Sequence, residues 1–440
     1  MAPSRLVLVL VLVSVQQSLQ APRLLLLLID GFRHDYTEDL GLFPGFRELV
    51  ESGVKVDYLT PDFPSLSYPN YYSLMTGRHC ETHQMTGNYM WDEVSEKEFL
   101  IGTNPDSRLP QWWNGSEPLW VTLQKMGKKV FMYDWPGCEM EILGVRPTFC
   151  KEYVFNPSEE NLKESINDAL SVLSSGNADM AAVYYEKIDV EGHHFGPDSQ
   201  QVRTAVQHLD LVIQILNRKI KETNMAKQLN VMIFSDHGMT KIQWMEKVIE
   251  LDKYVHMSDI SKMMDKGSVV SLWPKNNAFQ QVYAALTRVP NMHVYTREEI
   301  PERFHYKRGK FVSPLTLVAN PGWFIIQNKN KLPYWKNDSG ALEPSGWQNG
   351  WHGFDNDFLD MKGFFLAAGS DFKQNVQAAP VRAVDIYNLM CWTLRVDPLP
   401  NNGSWTHVEH LLNGCDPVQL ATLWSCIMGL LAVLKQVMME

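Results

Sequence analysis

The sequence has no surplus of basic residues, no internal repeat and no low-complexity segment. Its 40 Lys and Arg residues are outnumbered by 50 Asp and Glu residues, which gives a formal net charge of −10 over 440 residues. This balance argues against a protein that binds the phosphate backbone of nucleic acids, because such proteins need clustered basic side chains. It is compatible with a substrate that carries a positive charge. The lack of repeats, together with 45% hydrophobic residues, predicts one large domain with insertions rather than a string of modules.

Both ends of the sequence are apolar, but neither apolar run is long enough to span a membrane with ease. Residues 1–21 are interpreted as a signal peptide, with Arg5 before a short apolar core and Ala21 at the cleavage site. The apolar tail Leu420–Leu434 is too short to span comfortably. Because small residues precede this tail, residues 398–440 are interpreted as a linker and a GPI-anchor signal, with an amphipathic terminal helix as the alternative. We therefore expect an extracellular protein that is anchored to the plasma membrane or secreted.

Cysteine is scarce, and its positions suggest how it is used. The six cysteines are Cys80, Cys138, Cys150, Cys391, Cys415 and Cys426. In an oxidising compartment some of them should be paired, and Cys138 with Cys150 is the favoured pair because the two are close in sequence. If processing removes Cys426 and retains Cys415, an odd cysteine remains, which points to a disulfide-linked homodimer. Three N-glycosylation sequons agree with export: Asn114, Asn337 and Asn402.

Apolar runs of strand length alternate with helical patterns along the chain. Strands are predicted at Arg23–Ile29, Ala181–Ile188, Val231–Ser235, Gly322–Ile326 and Gly363–Gly369. These runs do not alternate with polar residues, so we expect central strands that are buried on both faces. Amphipathic helices are predicted over Ser158–Ser175, Ser199–Ile220 and Arg382–Leu394. The alternation predicts an α/β fold with a mostly parallel central sheet flanked by helices.

Three of the apolar runs lead directly to an aspartate. The run "LLID" ends in Asp30, "YYEKID" ends in Asp189, and "MIFSDH" ends in Asp236 and His237. The carboxyl ends of parallel strands lie at one edge of a sheet, so we expect these carboxylates to converge. Three converging carboxylates repel one another unless cations neutralise them. A single aspartate at a strand end is often only a helix cap, but the combination favours a cation site.

Histidines near the aspartates supply further metal ligands. His193 and His194 follow Asp189 in "DVEGHHFGP", and His352 lies in "WHGFDN". Mixed carboxylate and imidazole sets suit Zn²⁺, and the lack of cysteine among them indicates a catalytic rather than a structural zinc. His79, His194 and His208 are expected to be surface or packing residues.

The segment "PDFPSLSYPNYYSLMTGRH" offers a nucleophile. Ser67 precedes Pro69 by two residues, and proline favours the first turn of a helix, which would place Ser67 at a helix N-terminus. That end of a helix stabilises phosphate through its free N–H groups. The alternative is that Ser67 is an ordinary N-cap residue.

Several of these motifs together resemble the ectonucleotide pyrophosphatase/phosphodiesterase family of the alkaline phosphatase superfamily. The carrying stretches are "LLIDGFR", "FPSLSYPNYYSLMTGRHCETHQMTGN", "WPG" with "EI", "YEKIDVEGHHFGP", "FSDHGM" and "WHGFDN", and the match covers roughly residues 22–395. The resemblance implies an alkaline-phosphatase-like fold, a catalytic domain over residues 22–397 and two Zn²⁺ per chain. The implied ligand sets are Asp30, Asp236 and His237 with the nucleophile Ser67, and Asp189, His193 and His352. Most of the family has threonine where this chain has Ser67.

The resemblance also bears on the substrate. It implies that Asn88 donates its amide to a phosphate oxygen. The serine nucleophile and the anchor-like tail favour a member that cleaves choline-containing glycerophosphodiesters and lysophospholipids, such as glycerophosphocholine and lysophosphatidylcholine, to release phosphocholine. Aromatic faces and acidic groups bind quaternary ammonium, and Tyr153, Tyr184 and Trp135 are the candidate pocket residues, with Glu186 beside them. The alternatives are core packing for each aromatic residue, a nucleotide pyrophosphatase or phosphodiesterase, and a catalytically silent surface-binding protein.

Overall fold

The computed structural model describes residues 22–223, 225–243, 246–329 and 348–414 of the chain. The predicted signal peptide, the Asn337 sequon, and the apolar tail with Cys415 and Cys426 lie outside these residues. Among the residues that are described, no helix is long and apolar enough to cross a membrane.

The described chain contains many short strands and ten α-helices. The strands are β1 (Arg23–Ile29), β2 (Gly53–Val56), β3 (Leu59–Thr60), β4 (Tyr89–Asp92), β5 (Lys97–Leu100), β6 (Val130–Tyr133), β7 (Phe149–Lys151), β8 (Met180–Tyr185), β9 (Leu229–Phe234), β10 (Thr240–Lys241), β11 (Val248–Glu250), β12 (Ile260–Met264), β13 (Val269–Pro274), β14 (Met292–Thr296), β15 (Leu315–Ala319), β16 (Phe324–Ile326), β17 (Gly350–Trp351), β18 (Phe365–Gly369), β19 (Val376–Ala378) and β20 (Val381–Arg382). The helices are α1 (Pro44–Ser52), α2 (Ser67–Thr76), α3 (Cys80–His83), α4 (Pro110–Trp113), α5 (Leu119–Lys125), α6 (Glu159–Ser174), α7 (Lys187–Phe195), α8 (Gln200–Glu222), α9 (Phe279–Leu286) and α10 (Ala383–Leu394).

An eight-stranded sheet forms the centre of the fold. Its order is β19-β2-β18-β9-β1-β8-β6-β7, and β18 alone runs antiparallel to its neighbours. The central strand β1 pairs in parallel with β8 and β9, with Leu28 opposite both Tyr184 and Phe234. The carboxyl ends of these three strands are therefore level. The mostly parallel α/β fold that the sequence predicts is confirmed.

The run of six aliphatic residues in β1 is explained by two separate hydrophobic cores, one on each face of the sheet. Leu24, Leu26 and Leu28 pack into the core that contains side chains of α2, α5 and α10. The alternate residues of β1 pack into the core that contains side chains of α1, α6 and α8. Helices thus cover both faces of the strand, and no position in it is exposed enough to favour a polar residue.

Two predicted strands differ from those observed. The run Gly322–Ile326 was expected in the central sheet, but β16 pairs with β11 in a separate two-stranded sheet and packs into the core of an insertion. An apolar run reports burial and not the sheet in which it is buried. The predicted strand Ala181–Ile188 ends at Tyr185, and Glu186 is the N-cap of helix α7, which begins at Lys187. A four-stranded antiparallel sheet, β12-β13-β15-β14, forms the rest of the insertion.

Residues 398–414, which the sequence analysis assigned to a terminal linker, pack against the domain. Val408, Leu411 and Leu412 are almost fully buried in the same core as β1. The Trp405 ring lies 5.1 Å from that of Trp392 on α10. The described part of this segment therefore belongs to the fold of the domain.

The predicted disulfide Cys138–Cys150 is present, and Cys80 and Cys391 are free and buried. The disulfide links two cysteines that are 12 residues apart in sequence. Replacing Cys138 and Cys150 by alanine should lower the free energy of unfolding by about 3 kcal/mol, because the unfolded chain regains the conformational entropy that the cross-link removes. Chemical denaturation with and without dithiothreitol measures this. The reductant should destabilise the unaltered protein and not the double variant. Equal free energies of unfolding for the two proteins without reductant would contradict the prediction.

Candidate metal centre

Asp30 and Asp236 lie at the carboxyl edge of the central sheet, as predicted. Asp30 follows β1 directly, and Asp236 follows β9 after Ser235. Both side chains are buried, with 2% and 1% of their surface exposed. Asp236 Oδ1 accepts hydrogen bonds from the backbone N–H groups of Gly31 at 3.2 Å and His237 at 3.0 Å. The two neighbouring strands thereby hold both carboxylates at one point.

Asp189 reaches the same edge from a helix rather than from the end of a strand. It lies in the first turn of α7, and His193 follows one turn later on the same face. Its predicted position at a strand end is therefore wrong, although its predicted neighbourhood is right. The chain leaves the sheet at Tyr185, and the helix carries the ligand pair back over the sheet edge.

His352 comes to the centre from a distant part of the chain. It follows β17, which pairs with β10 just after His237. Its backbone carbonyl accepts a hydrogen bond of 2.6 Å from the Ser268 hydroxyl. The His237 and His352 rings stack with their centroids 3.6 Å apart.

Ser67 is the first residue of α2, so its predicted position at a helix N-terminus is confirmed. Its Oγ lies 3.2 Å from His237 Nε2. Asn88 Oδ1 accepts a hydrogen bond of 3.0 Å from the Tyr68 backbone N–H in the first turn. This bond occupies the Asn88 oxygen and leaves its amide hydrogens to donate elsewhere.

The ligand candidates fall into two adjoining sets. In the first set, His237 Nε2 lies 3.4 Å from Asp30 Oδ1 and 3.2 Å from Asp236 Oδ2. In the second set, His193 Nε2 lies 3.4 Å from Asp189 Oδ2 and 3.1 Å from His352 Nε2. Ligands of a tetrahedral zinc with bonds of about 2.0–2.1 Å are separated by roughly 3.3–3.4 Å. Both sets therefore have the spacing that zinc requires, and they match the sets predicted from the sequence.

The hydrogen bonds of the three imidazoles fix which nitrogen faces the centre. Nδ1 of His193, His237 and His352 each lies 2.9–3.0 Å from a backbone carbonyl, those of Gly350, Gly238 and Ser65. A carbonyl only accepts, so each Nδ1 carries the proton and each Nε2 presents a lone pair. Within the described residues, the buried oxygens Asp30 Oδ1, Asp189 Oδ1 and Asp236 Oδ2 have no hydrogen-bond donor. A cluster of acceptors without donors is explained by bound cations.

The pKa directions agree with this arrangement. Burial, with the charge of Asp30, raises the pKa of Asp189 and Asp236 well above the ordinary value for a carboxyl. Burial also lowers the pKa of His193 to about 3 and that of His352 well below its usual range. The imidazoles are thus neutral at physiological pH, which is the form that binds metal.

Two tyrosines that the sequence did not mark for this role orient Asp30. The hydroxyls of Tyr71, on α2, and Tyr184, on β8, both donate to Asp30 Oδ2, and they lie 2.8 Å from each other. Burial raises the pKa of both hydroxyls, so they remain protonated donors. Tyr184 is 3% exposed. It therefore supports a ligand from behind, and the proposed role as a pocket surface falls to other aromatic residues.

An acidic and aromatic group lies beside Ser67. Glu186 accepts hydrogen bonds from the Tyr153 hydroxyl at 2.7 Å and from the Tyr184 hydroxyl at 3.3 Å. Burial raises the pKa of Glu186 to about 7. Burial, with the charges of Glu139 and Glu186, raises the pKa of the Tyr68 hydroxyl. We call Tyr68, Glu139, Tyr153 and Glu186 the acidic–aromatic cluster.

Trp135 differs from its predicted role. Its side chain is fully buried in the core that contains α2 and α10, and none of its surface is exposed. Trp135 is therefore a packing residue, which is the alternative that the sequence left open. Sequence reasoning missed Tyr68, Tyr71 and Glu139, although Glu139 stands only two residues after the end of the quoted "WPG".

Comparison with known proteins identifies the family of the chain. The family model for type I phosphodiesterase/nucleotide pyrophosphatase matches residues 24–355. The bis(5'-adenosyl)-triphosphatase enpp4 of Mus musculus is 35% identical over 397 residues, which cover 89% of this chain and 82% of that protein. The structure of human ectonucleotide pyrophosphatase/phosphodiesterase 5 superposes with a TM-score of 0.81 at 33% identity, covering 89% of this chain and 100% of that chain. An inactive form of the murine protein in complex with AMP has a TM-score of 0.80 at 32% identity, with the same coverage.

These matches fix the fold as alkaline-phosphatase-like, as the motifs implied. The relatives named here are of the nucleotide type and not choline-specific, so they support the nucleotide alternative better than the choline-specific interpretation. Taken with the two ligand sets around Ser67, they show that the chain belongs to the type I phosphodiesterase/nucleotide pyrophosphatase family.

Proposed function

We propose that this phosphodiesterase hydrolyses choline-containing glycerophosphodiesters and lysophospholipids, such as glycerophosphocholine and lysophosphatidylcholine, and releases phosphocholine. The observation that carries the proposal is the acidic–aromatic cluster beside Ser67. Carboxylates and tyrosine faces bind quaternary ammonium through charge and cation–π attraction. The same carboxylates repel the additional phosphates of a nucleoside triphosphate or a dinucleoside polyphosphate. The cluster therefore favours a diester whose retained group is a cation.

Each group of residues in the site has a separate role in the reaction. Asp30, Asp236, His237 and Ser67 would hold one zinc, and Asp189, His193 and His352 would hold another. Zinc in these positions supplies Lewis-acid stabilisation of phosphoryl oxygens and lowers the pKa of the serine hydroxyl. The Asn88 amide donates to a non-bridging oxygen and, together with the N-terminus of α2, holds the phosphate in place. Glu186, with Tyr153, holds the choline end.

The covalent step starts at Ser67. The Ser67 oxygen forms a bond to phosphorus, and the bond from phosphorus to the glycerol oxygen breaks. Glycerol or a monoacylglycerol departs as an alcohol that carries the proton of the serine hydroxyl. Phosphocholine remains as an ester of Ser67. A water oxygen then bonds to phosphorus, and the bond from phosphorus to the Ser67 oxygen breaks. One water proton goes to the serine oxygen, and phosphocholine is released.

The proposal is tested by incubating the zinc-loaded protein with glycerophosphocholine and following the products by phosphorus NMR. Phosphocholine is the expected product. Glycerol phosphate with free choline would mean that the substrate docks in the reverse direction. No turnover, with rapid cleavage of nucleotide substrates, would overturn the choline proposal.

A nucleotide pyrophosphatase or phosphodiesterase is the second candidate. The names of the relatives and the AMP complex of the murine protein support it. A ratio of kcat/KM values for glycerophosphocholine and for a dinucleoside triphosphate separates the two candidates, since the same ligand sets serve both.

Replacing Glu186 by glutamine gives a sharper test of the choline site. The variant keeps the shape of the side chain and removes its charge, so KM for glycerophosphocholine should rise about tenfold to 100-fold. The matched control is the glycerophosphodiester of 3,3-dimethylbutanol, which has the shape of choline without the charge. Its KM should not change in the variant. An equal rise for both substrates would show that Glu186 acts on the fold of the site and not on the cation.

We also propose that the chain is exported and held at the outer surface of the plasma membrane. The disulfide and the exposed sequons Asn114 and Asn402 support export. Surface labelling of cells that express the full chain, before and after treatment with a phospholipase that cleaves glycosylphosphatidylinositol, tests the anchor. Retention of the protein after cleavage would contradict it.

A further inference from the structure

Lys266 lies at the tip of a hairpin that packs against the second ligand set. The hairpin joins β12 and β13, and its turn covers residues 265–268, with positive φ at Asp265 (+67°) and Gly267 (+90°). The Lys266 backbone N–H donates to Asp265 Oδ1 at 2.8 Å, which holds the turn in shape. The tip is thus a defined structure rather than a loose loop.

This tip is fixed to the segment that carries His352. A Cβ atom on Gly267 would come within 2.2 Å of Trp351 Nε1, so only glycine permits this approach. The next residue, Ser268, donates its hydroxyl to the His352 carbonyl at 2.6 Å. The Trp351 ring in turn lies 4.8 Å from the His193 ring, edge to face. Three consecutive contacts therefore place Lys266 beside the second ligand set.

The Lys266 ammonium group lies near the segment that carries Asn88. Lys266 Nζ lies 6.0 Å from the centre of the Tyr89 ring, and Tyr89 is the residue after Asn88. The hairpin tip therefore carries a positive charge close to Tyr89 and to the segment of Trp351 and His352.

In a displacement by Ser67, the departing oxygen leaves on the side opposite the nucleophile. Ser67 belongs to the first ligand set, so the departing alcohol lies toward the second set and the hairpin. We propose that Lys266 binds the departing alcohol, donating hydrogen bonds from its ammonium group to the hydroxyls of glycerol, and so selects hydroxylated leaving groups. This inference rests on the proposed function, because it takes the choline end to be held on the opposite side.

The test compares two substrates that share phosphocholine and differ in the leaving group. Cleavage of glycerophosphocholine releases glycerol. Cleavage of p-nitrophenyl phosphocholine releases nitrophenolate, which carries no additional hydroxyl group for Lys266 to bind. The Lys266→Met variant keeps the length of the side chain and removes the donor. We expect KM for glycerophosphocholine to rise about tenfold with little change in kcat. KM for the nitrophenyl ester should change less than about twofold, and Lys266→Arg should restore most of the loss.

Lys262 supplies a matched control on the same hairpin. It pairs with Glu98 and lies 5.4 Å from the centre of the Trp91 ring. Lys262→Met should leave both substrates unaffected. Equal losses for both substrates in Lys266→Met, or no loss for either, would overturn the inference while the unaltered protein remains active. Inactivity of the unaltered protein toward both choline esters would instead overturn the proposed function, and the inference with it.

Discussion

Replacing Ser67 by alanine should lower kcat for phosphodiester substrates on the order of 10⁴-fold or more, because it removes the atom that bonds to phosphorus. The same change should leave the fold intact. Ser67 is 8% exposed, and its hydroxyl contacts His237 Nε2 among the described residues. Burst kinetics and thermal unfolding, measured on one preparation, test both halves of this expectation.

Ser67→Thr is the matched control for this substitution. It keeps the hydroxyl at the N-terminus of α2, and threonine is the usual nucleophile of the family that the chain resembles. Its kcat should stay within about tenfold of the original, since both residues are hydroxyl nucleophiles of similar chemistry. Retention of a tenth of the activity by Ser67→Ala would contradict the assignment of the nucleophile.

Most of the candidate ligands could be picked out from the sequence because a local pattern marks them, whereas their division into two sets was implied by the family resemblance. Asp30 and Asp236 stand directly after apolar runs, and an unbroken apolar run predicts a strand buried on both faces. His193 stands four residues after Asp189, a spacing that brings both to one side of a helix or leaves them in one turn. The parallel register of the sheet then brings these local marks together.

The residues that donate hydrogen bonds to the ligands could not be predicted in the same way. The hydroxyls of Tyr71 and Tyr184 meet at Asp30 only because α2 packs on the face of the sheet to which Tyr184 points. These residues are 113 positions apart. No periodicity connects them, and a tyrosine in a buried strand is usually a packing residue. The position of the hairpin tip at Lys266 could not be predicted either, because it depends on how the insertion packs against the rest of the domain.

Replacing Asp236 by asparagine should have opposite effects on activity and on the stability of the metal-free protein. Loss of a ligand should lower activity at least about 100-fold, since even partners that only orient ligands are worth 10- to 100-fold. Asparagine keeps an oxygen for the N–H groups of Gly31 and His237. It replaces the oxygen that has no donor by an amide that can donate to His237 Nε2. Native mass spectrometry should find two zinc ions in the original protein and one in the variant.

The gain in stability has a defined pH dependence. Burial, with the charges of Asp30 and Asp189, raises the pKa of Asp236 in the folded chain above its unfolded value. Such a carboxylate binds its proton more tightly when folded, so it costs increasing stability as the pH rises above about 4. Asparagine removes that cost, and we expect the Tm of the metal-free variant to exceed that of the metal-free original by about 2 °C or more at pH 7.5. The difference should vanish below about pH 3, where the carboxyl is protonated in both states.

Zinc should reverse the order of the two proteins. A ligand that binds only the folded state raises stability with the logarithm of its concentration over Kd, and the original protein has the stronger sites. At pH 7.5 and saturating zinc, the original should therefore unfold at the higher temperature, although it is the less stable protein after chelation. An asparagine variant that is less stable than the original in both conditions would mean that Asp236 is held for the fold. The crossing of the two Tm values is what separates carboxylates that are kept for a cation from carboxylates that are kept for structure.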